Sequence, residues 1–552
     1  MVRLLTTCKF SIGRIARFRS VWTGLGYVAH RPWLTVTLLG IIAFAGSVTI
    51  AVITGIPEPA ATDEFSYLLA ADTFAHGRLT NPTHPMWVHF ESFHIIQQPT
   101  YMSKYPPAQG LVLAVGQVTA GHPIVGVWLS FGIMCAAICW MLYAWVPPRW
   151  ALFGGFLTVI NPLLGIAGYW AQSYWGGAVA ATGGALVLGG VRRLIHQPQV
   201  YDSLLTGIGL AILANSRPFE GLLISLPAGI FLMIWIVRQR GQALRISIGR
   251  IVIPISLILA LTLAAMGFYN LRVTGHPLRT SYQVHEETYA MIPLFLWQAP
   301  RPEPKYRHDI IRDGHQGFGP GLYNIQHTLV GFMVKNVAYL SWWGFYSLNV
   351  LAIPLITIGS MATRWTLRNR WSLLALLTYG VLICGVLQET YMQMHYLAPI
   401  TGINYMFAVQ AIRLCRWRRK KVGRLMLWLV PLLAIAALVL LLDKTITQDN
   451  SFASHVQRAR LLKRLKHDEA QHLILVSYGR VRSGQRHWVY NQANIDKAKV
   501  VWAHQMDTVE NCKLVQYFNQ RRIWSLELDE VPSIPKLKPY PTNLCPVNFQ
   551  QK

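Results

Sequence analysis

Charged residues are scarce in this chain, and acidic residues are scarcer than basic ones. Charged side chains make up 13% of the 552 residues, whereas hydrophobic residues make up 53%. The apolar residues occur in runs of about twenty, which is the length that a helix needs to cross a bilayer. A composition so poor in charge and so rich in apolar runs predicts a polytopic membrane protein.

The chain also lacks the usual metal-binding motifs. Its seven cysteines show no ligand spacing, and it contains no HExxH pattern. The pairs His285-Glu286-Glu287 and His308-Asp309 offer nitrogen and oxygen ligands, but loose pairs of this kind are usually plain surface. No cofactor or metal site is therefore predicted, and a divalent cation stays an alternative. Cys512 and Cys545 could form a disulfide if the C-terminal tail lies in an oxidising compartment.

The formal net charge of +27 does not indicate nucleic acid as a partner. The Lys and Arg residues gather in short clusters beside the apolar runs, as topology signals do. Residues 1–32 are basic and contain no acid, so the positive-inside rule places the N-terminus in the cytoplasm. The first predicted span, residues 33–56, then leads to the extracytoplasmic side.

About eleven spans place every basic cluster between spans on one side of the membrane. They lie within residues 33–442, at 33–56, 124–145, 150–166, a segment ending at 192, 204–215, a segment ending at 238, 251–269, 338–361, 373–387, a segment ending at 413, and 425–442. Residues 108–120 are too short for a span and predict an interfacial or re-entrant helix.

The predicted fold class is an all-α polytopic membrane protein with a small C-terminal α/β domain. This extracytoplasmic domain comprises residues 443–552, and the C-terminus is outside. Its apolar runs predict strands, and the polar stretch 507–519 predicts a helix. The predicted strands are residues 473–478, 499–503 and 522–528.

Two large inserts, residues 57–123 and 270–336, face the outside in this topology. The first opens with Asp63 and Glu64 and closes with Lys104-Tyr105-Pro106-Pro107. Loops of this length are usually functional or disordered, and this one is too aromatic and apolar for disorder. An ordinary surface loop is the alternative.

Ionisable residues gather on the outer face, whereas the spans are almost free of charge. A transporter would need them near the middle of the bilayer. A group-transfer enzyme at the lipid surface needs a carboxylate as general base, cations for a phosphate leaving group and an apolar groove. The outer face supplies such groups: Asp63, Glu64, Lys104, Arg217, Glu220, His276, Arg279, His285, Glu286, Glu287, Glu389 and His395.

Asp63 and Glu64 are neighbours in sequence. If this part of the insert is helical, their side chains diverge by about 100°. One carboxylate can then face a reacting group while the other makes a structural or metal contact.

The carboxylate pair after the first span, the segment with Asp72 and Gly77, and Lys104-Tyr105-Pro106-Pro107 together resemble the GT-C superfamily of membrane glycosyltransferases. The pattern is similar to the branch of protein O-mannosyltransferases and lipid A aminoarabinose transferases. The resemblance covers the membrane portion of the chain. It implies a GT-C-like fold and hexosyl or pentosyl transfer from a polyprenyl-phosphate sugar donor.

The same resemblance implies an acceptor hydroxyl on a glycan, lipid or protein outside a bacterial cytoplasmic (inner) membrane. Asp63 matches the catalytic base, with Glu64 beside it, and Lys104 and Tyr105 match positions near the donor phosphate. Arg217 is added to the residues expected to bind the donor phosphate on the basis of its placement alone. Arg217 and Glu220 can instead form an ion pair that locks the turn. Placement also suggests substrate-binding residues: Tyr174, Trp175, His285, His395 and Tyr396.

Other functions remain open on the sequence. The aromatic residues near Tyr174 are equally typical of the interfacial belt of membrane proteins. A polymerase or ligase of lipid-linked envelope glycans would use a larger outer cavity. A membrane transporter or flippase would move its substrate without a covalent product. A non-catalytic scaffold would bind envelope partners through its C-terminal domain.

Overall fold

The computed structural model describes residues 26–357, 369–448, 453–479, 486–528, 535–541 and 545. Most of the predicted cytoplasmic segment 1–32 and of the basic cluster 364–370 lies outside these residues. The main helices are α1 (Pro32–Thr54), α2 (Thr62–Ala75), α3 (Pro107–Ala120), α4 (Ile124–Trp145), α5 (Pro148–Val159), α6 (Gly177–His196), α7 (Val200–Ser216), α8 (Pro218–Val237), α9 (Gly241–Thr274), α10 (Ser281–Tyr289), α11 (Asp309–Gln316), α12 (Gly319–Gln326), α13 (Leu329–Ser347), α14 (Arg370–Val386), α15 (Thr401–Arg418), α16 (Lys420–Thr447), α17 (Ser454–His467) and α18 (Thr508–Tyr517).

Six of the described helices are long and apolar enough to cross a membrane: α1, α4, α6, α8, α9 and α16. A seventh is possible if α13 is counted with the helix Asn349–Thr357, to which it is bent by 96°. The predicted eleven spans also include α5, α7, α14 and α15. These four are shorter or less apolar than the six, so the count of eleven stays a prediction.

Two predicted spans differ from the helices observed. The expected helix over residues 150–166 ends at Val159, because Asn161 precedes Pro162 and the residue before a proline avoids the helical region. The Asn161 side chain instead accepts hydrogen bonds from the backbone of Leu163 and Leu164. The span predicted to begin at residue 338 begins earlier, at Leu329.

The centre of the bundle is built on close contacts of α6 with its neighbours. Small residues along α6 let it approach α4 and α7, and most of the helix is buried. A Cβ atom on Gly184 would collide with the backbone carbonyl of Pro399. Glycine at this position therefore allows the 3₁₀ turn Met394–Ile400 to pack directly on α6.

The first insert folds into α2, a small sheet and α3. Strand β3 (Thr100–Ser103) lies between β1 (Asn81–Pro82) and β2 (Ile95–Ile96), and both pairings are antiparallel. Helix α3 is 14 residues long, as expected for a segment too short to span a membrane. The insert is therefore an ordered structure and not an unstructured surface loop.

The C-terminal region contains a second sheet with the order β5, β4, β6, β7. Strands β4 (His472–Tyr478), β5 (Val500–His504) and β6 (Arg522–Leu528) are parallel, and β7 (Lys538–Pro539) is antiparallel. The first three lie where the sequence predicts strands, and α18 lies where it predicts a helix. Cys512 and Cys545 form a disulfide.

This second sheet packs on the first insert. The Phe65 and Tyr490 rings stack with centroids 4.2 Å apart. The Ala493 amide donates to the Asp72 carboxylate at 2.8 Å, and the Tyr101 hydroxyl donates to the Asn491 carbonyl at 3.1 Å. The C-terminal region therefore holds the insert in place from one side.

Candidate active site

A cavity of about 900 Å³ lies where the first insert meets the helix ends. Helix α2, the residue before β2 and the loop after β3 form one wall, which carries Asp63, His94, Lys104 and Tyr105; we call this the insert wall. The opposite side, the helix wall, carries Arg217, Glu220, Glu389, His395 and Tyr396. The cavity volume is in the range of sites that bind small ligands.

The cavity lies at the helix ends away from the basic clusters. It is lined by residues at the junction of α7 and α8 and at the C-terminal end of α9, such as Asn215 and Asn270. The opposite ends of the helices carry Arg193 on α6, Arg245 on α9 and Arg416 on α15. The cavity and these three arginines therefore lie at opposite ends of their helices.

Asp63 is in the first turn of α2 and faces the cavity. Its Oδ1 accepts a hydrogen bond from the Tyr105 hydroxyl and lies 3.4 Å from Nε2 of His94. Burial raises the pKa of Asp63 to about 6, and the positive charges of Lys104 and Arg217 oppose part of this rise. A carboxyl that titrates near neutral pH can exchange protons readily with a bound hydroxyl group.

Glu64 is turned away from the cavity. Its carboxylate accepts hydrogen bonds from the backbone amides of Ala60 at 2.8 Å, Ala61 at 2.9 Å and Tyr174 at 2.9 Å. It therefore caps α2 and fixes the turn before α6. The two carboxylates diverge as expected for a helix, and the structure does not bring Glu64 to the cavity, because its oxygens accept hydrogen bonds from the backbone.

Lys104 reaches the cavity through the hairpin of β2 and β3. Its side chain is 7% exposed, with Nζ 3.5 Å from a Glu286 oxygen and 4.8 Å from the centre of the Tyr282 ring. An ammonium group has three donors, and this long contact with one carboxylate leaves donors for another anion. Lys104 and Asp63 therefore face the same space.

Arg217 caps the junction of α7 and α8. Its guanidinium donates to Glu220 at 3.2 Å and lies 4.2 Å from the centre of the Tyr396 ring. Glu220 is in the first turn of α8, where a negative charge is stabilised by the helix dipole. The pair thus locks the turn, as the alternative interpretation of the sequence has it, while Arg217 still lines the cavity.

Glu389 completes the helix wall. It is 3% exposed, and its Oε1 has no hydrogen-bond partner among the described residues. The ammonium group of Lys335 donates to its backbone carbonyl at 2.9 Å. Burial and the neighbouring Glu220 raise the pKa of Glu389, so that this carboxyl is held in its neutral form at pH 7.

The structure brings together most of the residues expected at the site. Trp175 and His395 line the cavity with ring centroids 4.5 Å apart, and Tyr396 lies under Arg217. The Tyr105 hydroxyl bonds to Asp63, so it holds the carboxylate and does not present itself to a phosphate.

Two expected substrate-binding residues do not line the cavity. The Tyr174 hydroxyl donates to the Pro57 carbonyl at 3.1 Å. His285 is 1% exposed and lies behind His94, with ring centroids 5.8 Å apart. The structure therefore does not bring these two side chains to the cavity, because each packs beneath its wall and not on its surface.

Four lining residues carry chemistry that the sequence did not assign. Glu220, Glu286 and Glu389 belong to the outer group of ionisable residues, but no spacing joins them to Asp63. His94 lies in the middle of the first insert without any motif around it. Only the hairpin pairing shows that His94 is adjacent to Lys104.

The described residues contain no group of three or more His, Cys, Asp or Glu side chains that could hold a metal ion. Around Asp63 the nearest groups are one tyrosine and one histidine, and no second carboxylate of the insert turns toward them. No step below uses a metal ion.

Comparison with known proteins identifies the fold. No protein-family model and no curated protein sequence matches the chain. ArnT from Cupriavidus metallidurans in the apo state is similar in structure, with 13% identity and a TM-score of 0.52 over 88% of this chain and 92% of that one. The same protein bound to undecaprenyl phosphate has 12% identity and a TM-score of 0.52 over the same shares.

The Archaeoglobus fulgidus oligosaccharyltransferase, in complex with Zn and sulfate, has 12% identity and a TM-score of 0.48 over 89% of this chain and 67% of that one. ArnT is a lipid A aminoarabinose transferase of the GT-C superfamily. The match to ArnT extends over nearly the whole of both chains. The chain therefore has the fold of GT-C membrane glycosyltransferases, as the resemblance of its sequence implies.

Proposed function

We propose that this protein is a glycosyltransferase that moves a hexosyl or pentosyl group from a polyprenyl-phosphate donor to an acceptor hydroxyl. One observation carries the proposal: Asp63 and Lys104 are forty-one positions apart in sequence, and both line one cavity of about 900 Å³. A carboxylate and an ammonium group in the same site are the parts that activation of a hydroxyl and binding of a phosphate require.

In the first part of the reaction, Asp63 takes the proton from the acceptor hydroxyl. The oxygen attacks the anomeric carbon of the sugar as the bond between that carbon and the phosphate oxygen breaks. The proton ends on the Asp63 carboxylate and later passes to solvent. A pKa of about 6 suits this role, because most of the carboxyl is ionised at pH 7 and can still hold the proton.

Lys104 and Arg217 stabilise the leaving group. Negative charge grows on the phosphate oxygen as the bond breaks, and fixed positive charges in a site shielded from water stabilise it strongly. Among the described residues, Lys104 has one long contact with a carboxylate, so it is the more available cation. Arg217 remains bound to Glu220 and contributes its field from the helix wall.

The lipid tail of the donor fits the membrane side of the cavity. Apolar residues from α7, α8 and α9 line this part, among them Ala214, Phe219 and Met266. ArnT from Cupriavidus metallidurans binds undecaprenyl phosphate, a polyprenyl phosphate, with the same overall fold. Chemically similar donors in this chain would place the phosphate beside Lys104.

The reaction takes place on the extracytoplasmic face of a bacterial cytoplasmic membrane. The cavity is at the helix ends opposite the basic clusters, and basic clusters mark the cytoplasmic side. The disulfide between Cys512 and Cys545 fits an oxidising compartment for residues 443–552. The proposal includes a cytoplasmic N-terminus, about eleven spans and an acceptor that is a glycan, lipid or protein.

Mass spectrometry of lipids and envelope glycans tests this function. Cells lacking the gene should accumulate a polyprenyl-phosphate sugar and lack one sugar on an envelope molecule. The wild-type gene should restore that sugar, a gene encoding Asp63→Asn should not, and a gene encoding Glu64→Gln should.

Purified protein in sealed vesicles distinguishes transfer from transport. The donor that accumulates in the deletion cells is the substrate, and a covalent product is the expected result. Movement of the lipid across the bilayer without any covalent product would contradict the proposal. So would an unchanged lipid and glycan profile in the deletion cells.

A further inference from the structure

His94 has an unusual backbone conformation on the edge of the cavity. Its φ angle is +62°, in the left-handed region that residues other than glycine rarely adopt. Two neighbouring groups hold this conformation, because the His94 carbonyl accepts a hydrogen bond from the Ser66 hydroxyl at 2.6 Å and from the Lys104 amide at 3.0 Å. Strained residues that are fixed in this way cluster at functional sites.

The hydrogen bonds that hold the His94 backbone belong to the same hairpin that places Lys104 and Tyr105 at the cavity. The Ser66 hydroxyl is 2.7 Å from the Ser103 hydroxyl, which accepts from the Tyr105 amide at 3.1 Å. Ser66 is on α2, one turn after Asp63. Helix and hairpin are therefore joined at one point, and that point fixes the three hairpin side chains relative to Asp63.

The imidazole of His94 is directed at Asp63. Its Nε2 is 3.4 Å from Oδ1, the same oxygen to which the Tyr105 hydroxyl donates. Its Nδ1 is buried and has no hydrogen-bond partner among the described residues. A neutral imidazole carries one N–H, and the contact with a carboxylate oxygen places that hydrogen on Nε2.

We propose that His94 is a positioning residue for the base, holding Oδ1 of Asp63 together with Tyr105 so that Oδ2 is left to the acceptor hydroxyl. The Tyr105 hydroxyl donates a hydrogen bond to Oδ1 of Asp63, and Nε2 of His94 approaches the same oxygen at 3.4 Å. Two donors on one oxygen fix the rotation of a carboxyl group, whereas one donor does not. The hairpin thus controls both the orientation of the base and the position of Lys104.

The charge state of His94 agrees with this role. Burial holds the pKa of His94 well below its usual value, and the nearby Lys104, His285 and His315 act in the same direction. The ring therefore stays neutral around pH 7, and its Nε2 lies 3.4 Å from Asp63 without forming an ion pair. Loss of this donor should raise the pKa of Asp63, since hydrogen bonds to a carboxylate favour its charged form.

Other groups also face Asp63 and would remain in a His94 variant. Lys104 and Arg217 favour the charged carboxyl, whereas Glu64 disfavours it. Tyr67 packs against Tyr105 with ring centroids 4.6 Å apart. Because these groups are unchanged, a shift in the titration of Asp63 would report the loss of the imidazole.

The test compares His94→Gly, His94→Asn and Asp63→Asn in full-length protein reconstituted in vesicles. Glycine and asparagine both tolerate a positive φ angle, so neither forces the hairpin to refold. The donor is the lipid extracted from deletion cells. Binding of undecaprenyl phosphate and thermal unfolding show whether each variant is folded.

For His94→Gly we expect kcat to fall roughly 10- to 100-fold with KM for the donor nearly unchanged, because the base is misaligned. The acid limb of the pH–rate profile should move up by about one pH unit. Added imidazole should restore part of the rate, since the deleted ring borders the open cavity, and should not restore Asp63→Asn. His94→Asn should show the same loss.

A wild-type rate and pH profile in both His94 variants would overturn the role of His94. So would a loss of rate with an unmoved acid limb and no rescue by imidazole, which indicates a purely structural residue. The inference rests on the proposed function, and Asp63→Asn separates the two failures. An active Asp63→Asn protein contradicts the base itself, whereas an inactive one beside fully active His94 variants contradicts only the inference.

Discussion

The two walls of the cavity use their charges differently. On the insert wall, Tyr105 and His94 contact one oxygen of Asp63, and Nζ of Lys104 lies 3.5 Å from the Glu286 carboxylate. Both side chains therefore keep polar atoms available at the cavity. On the helix wall, Arg217 and Glu220 neutralise each other, and Glu389 is neutral through burial. In the proposed reaction, the insert wall therefore carries the reacting groups and the helix wall supplies a fixed environment for them.

Among changes on the insert wall, Asp63→Asn should reduce the rate of transfer most strongly. An amide cannot accept the proton of the acceptor, so turnover should fall by about 10²- to 10⁴-fold while the protein still folds. The measurement is the rate of sugar transfer in vesicles, together with thermal unfolding. Transfer at the wild-type rate would exclude Asp63 as the base.

Glu64→Gln is the matched control on the next residue of the same helix. The carboxylate accepts three backbone hydrogen bonds, and weakening them should cost about 1–3 kcal/mol of stability. The rate per folded molecule should stay close to wild type. A loss of turnover as large as that of Asp63→Asn would contradict the division of roles between the two carboxylates.

On the helix wall, Arg217→Ala should reduce stability more than any change on the insert wall. Removing one partner of a buried ion pair leaves the other charge uncompensated and typically costs about 3–5 kcal/mol. Thermal unfolding of the purified protein measures this loss. The double change Arg217→Met with Glu220→Gln should recover part of it, and no recovery would show that the pair is not the cause.

Lys104→Ala should weaken donor binding with a smaller effect on stability. A charge-assisted hydrogen bond to phosphate contributes about 1.5–3 kcal/mol, which corresponds to roughly a 10- to 100-fold loss of affinity. Binding of undecaprenyl phosphate measures the change, with Lys104→Arg as the variant that keeps the charge. Unchanged affinity in Lys104→Ala would remove this residue from the phosphate site.

The activity should depend on pH through Asp63. Since the pKa of Asp63 is about 6 and the base must be ionised, kcat/KM should fall about tenfold per unit below pH 6. Stability should show the opposite trend, because burial favours the protonated carboxyl: it should decrease as pH rises from about 4 to 6. Asp63→Asn should abolish this part of the stability profile, and a profile that does not change would contradict the assigned pKa.

Glu389→Gln should have the smallest effect. Burial and Glu220 raise the pKa of Glu389, so its carboxyl is neutral at pH 7 and an amide of the same shape replaces it without a change of charge. We expect a stability change below about 1 kcal/mol. A much larger loss, measured by thermal unfolding, would show that Glu389 is ionised and that the helix wall carries a net negative charge.

The insert wall could be predicted to a large extent from the sequence. Asp63 and Lys104 stand out because charged residues are rare here and both flank an aromatic insert between apolar segments. The divergence of Asp63 and Glu64 follows from the helical repeat alone. The helical repeat does not tell which of the two carboxylates faces the cavity. That depends on the backbone amides of residues 60, 61 and 174, which bind Glu64.

The composition of the helix wall and the conformation of His94 could not be predicted from the sequence, because both depend on contacts between distant segments. Tyr174 and His285 are aromatic residues in the expected loops, yet they pack beneath the surface of the cavity. Nothing in the residues around His94 indicates a positive φ angle, since the conformation is imposed by Ser66 and Lys104.

The sequence by itself determined that the chain is a helical membrane protein with a carboxylate and a lysine in its first insert. Apolar run length and charge placement are local properties, and they are readable without a structure. Only the tertiary structure decided that Asp63, His94, Lys104 and Arg217 share one cavity. The reason is physical: a hairpin pairing and the packing of helix ends join residues far apart in sequence, and no local pattern records those contacts.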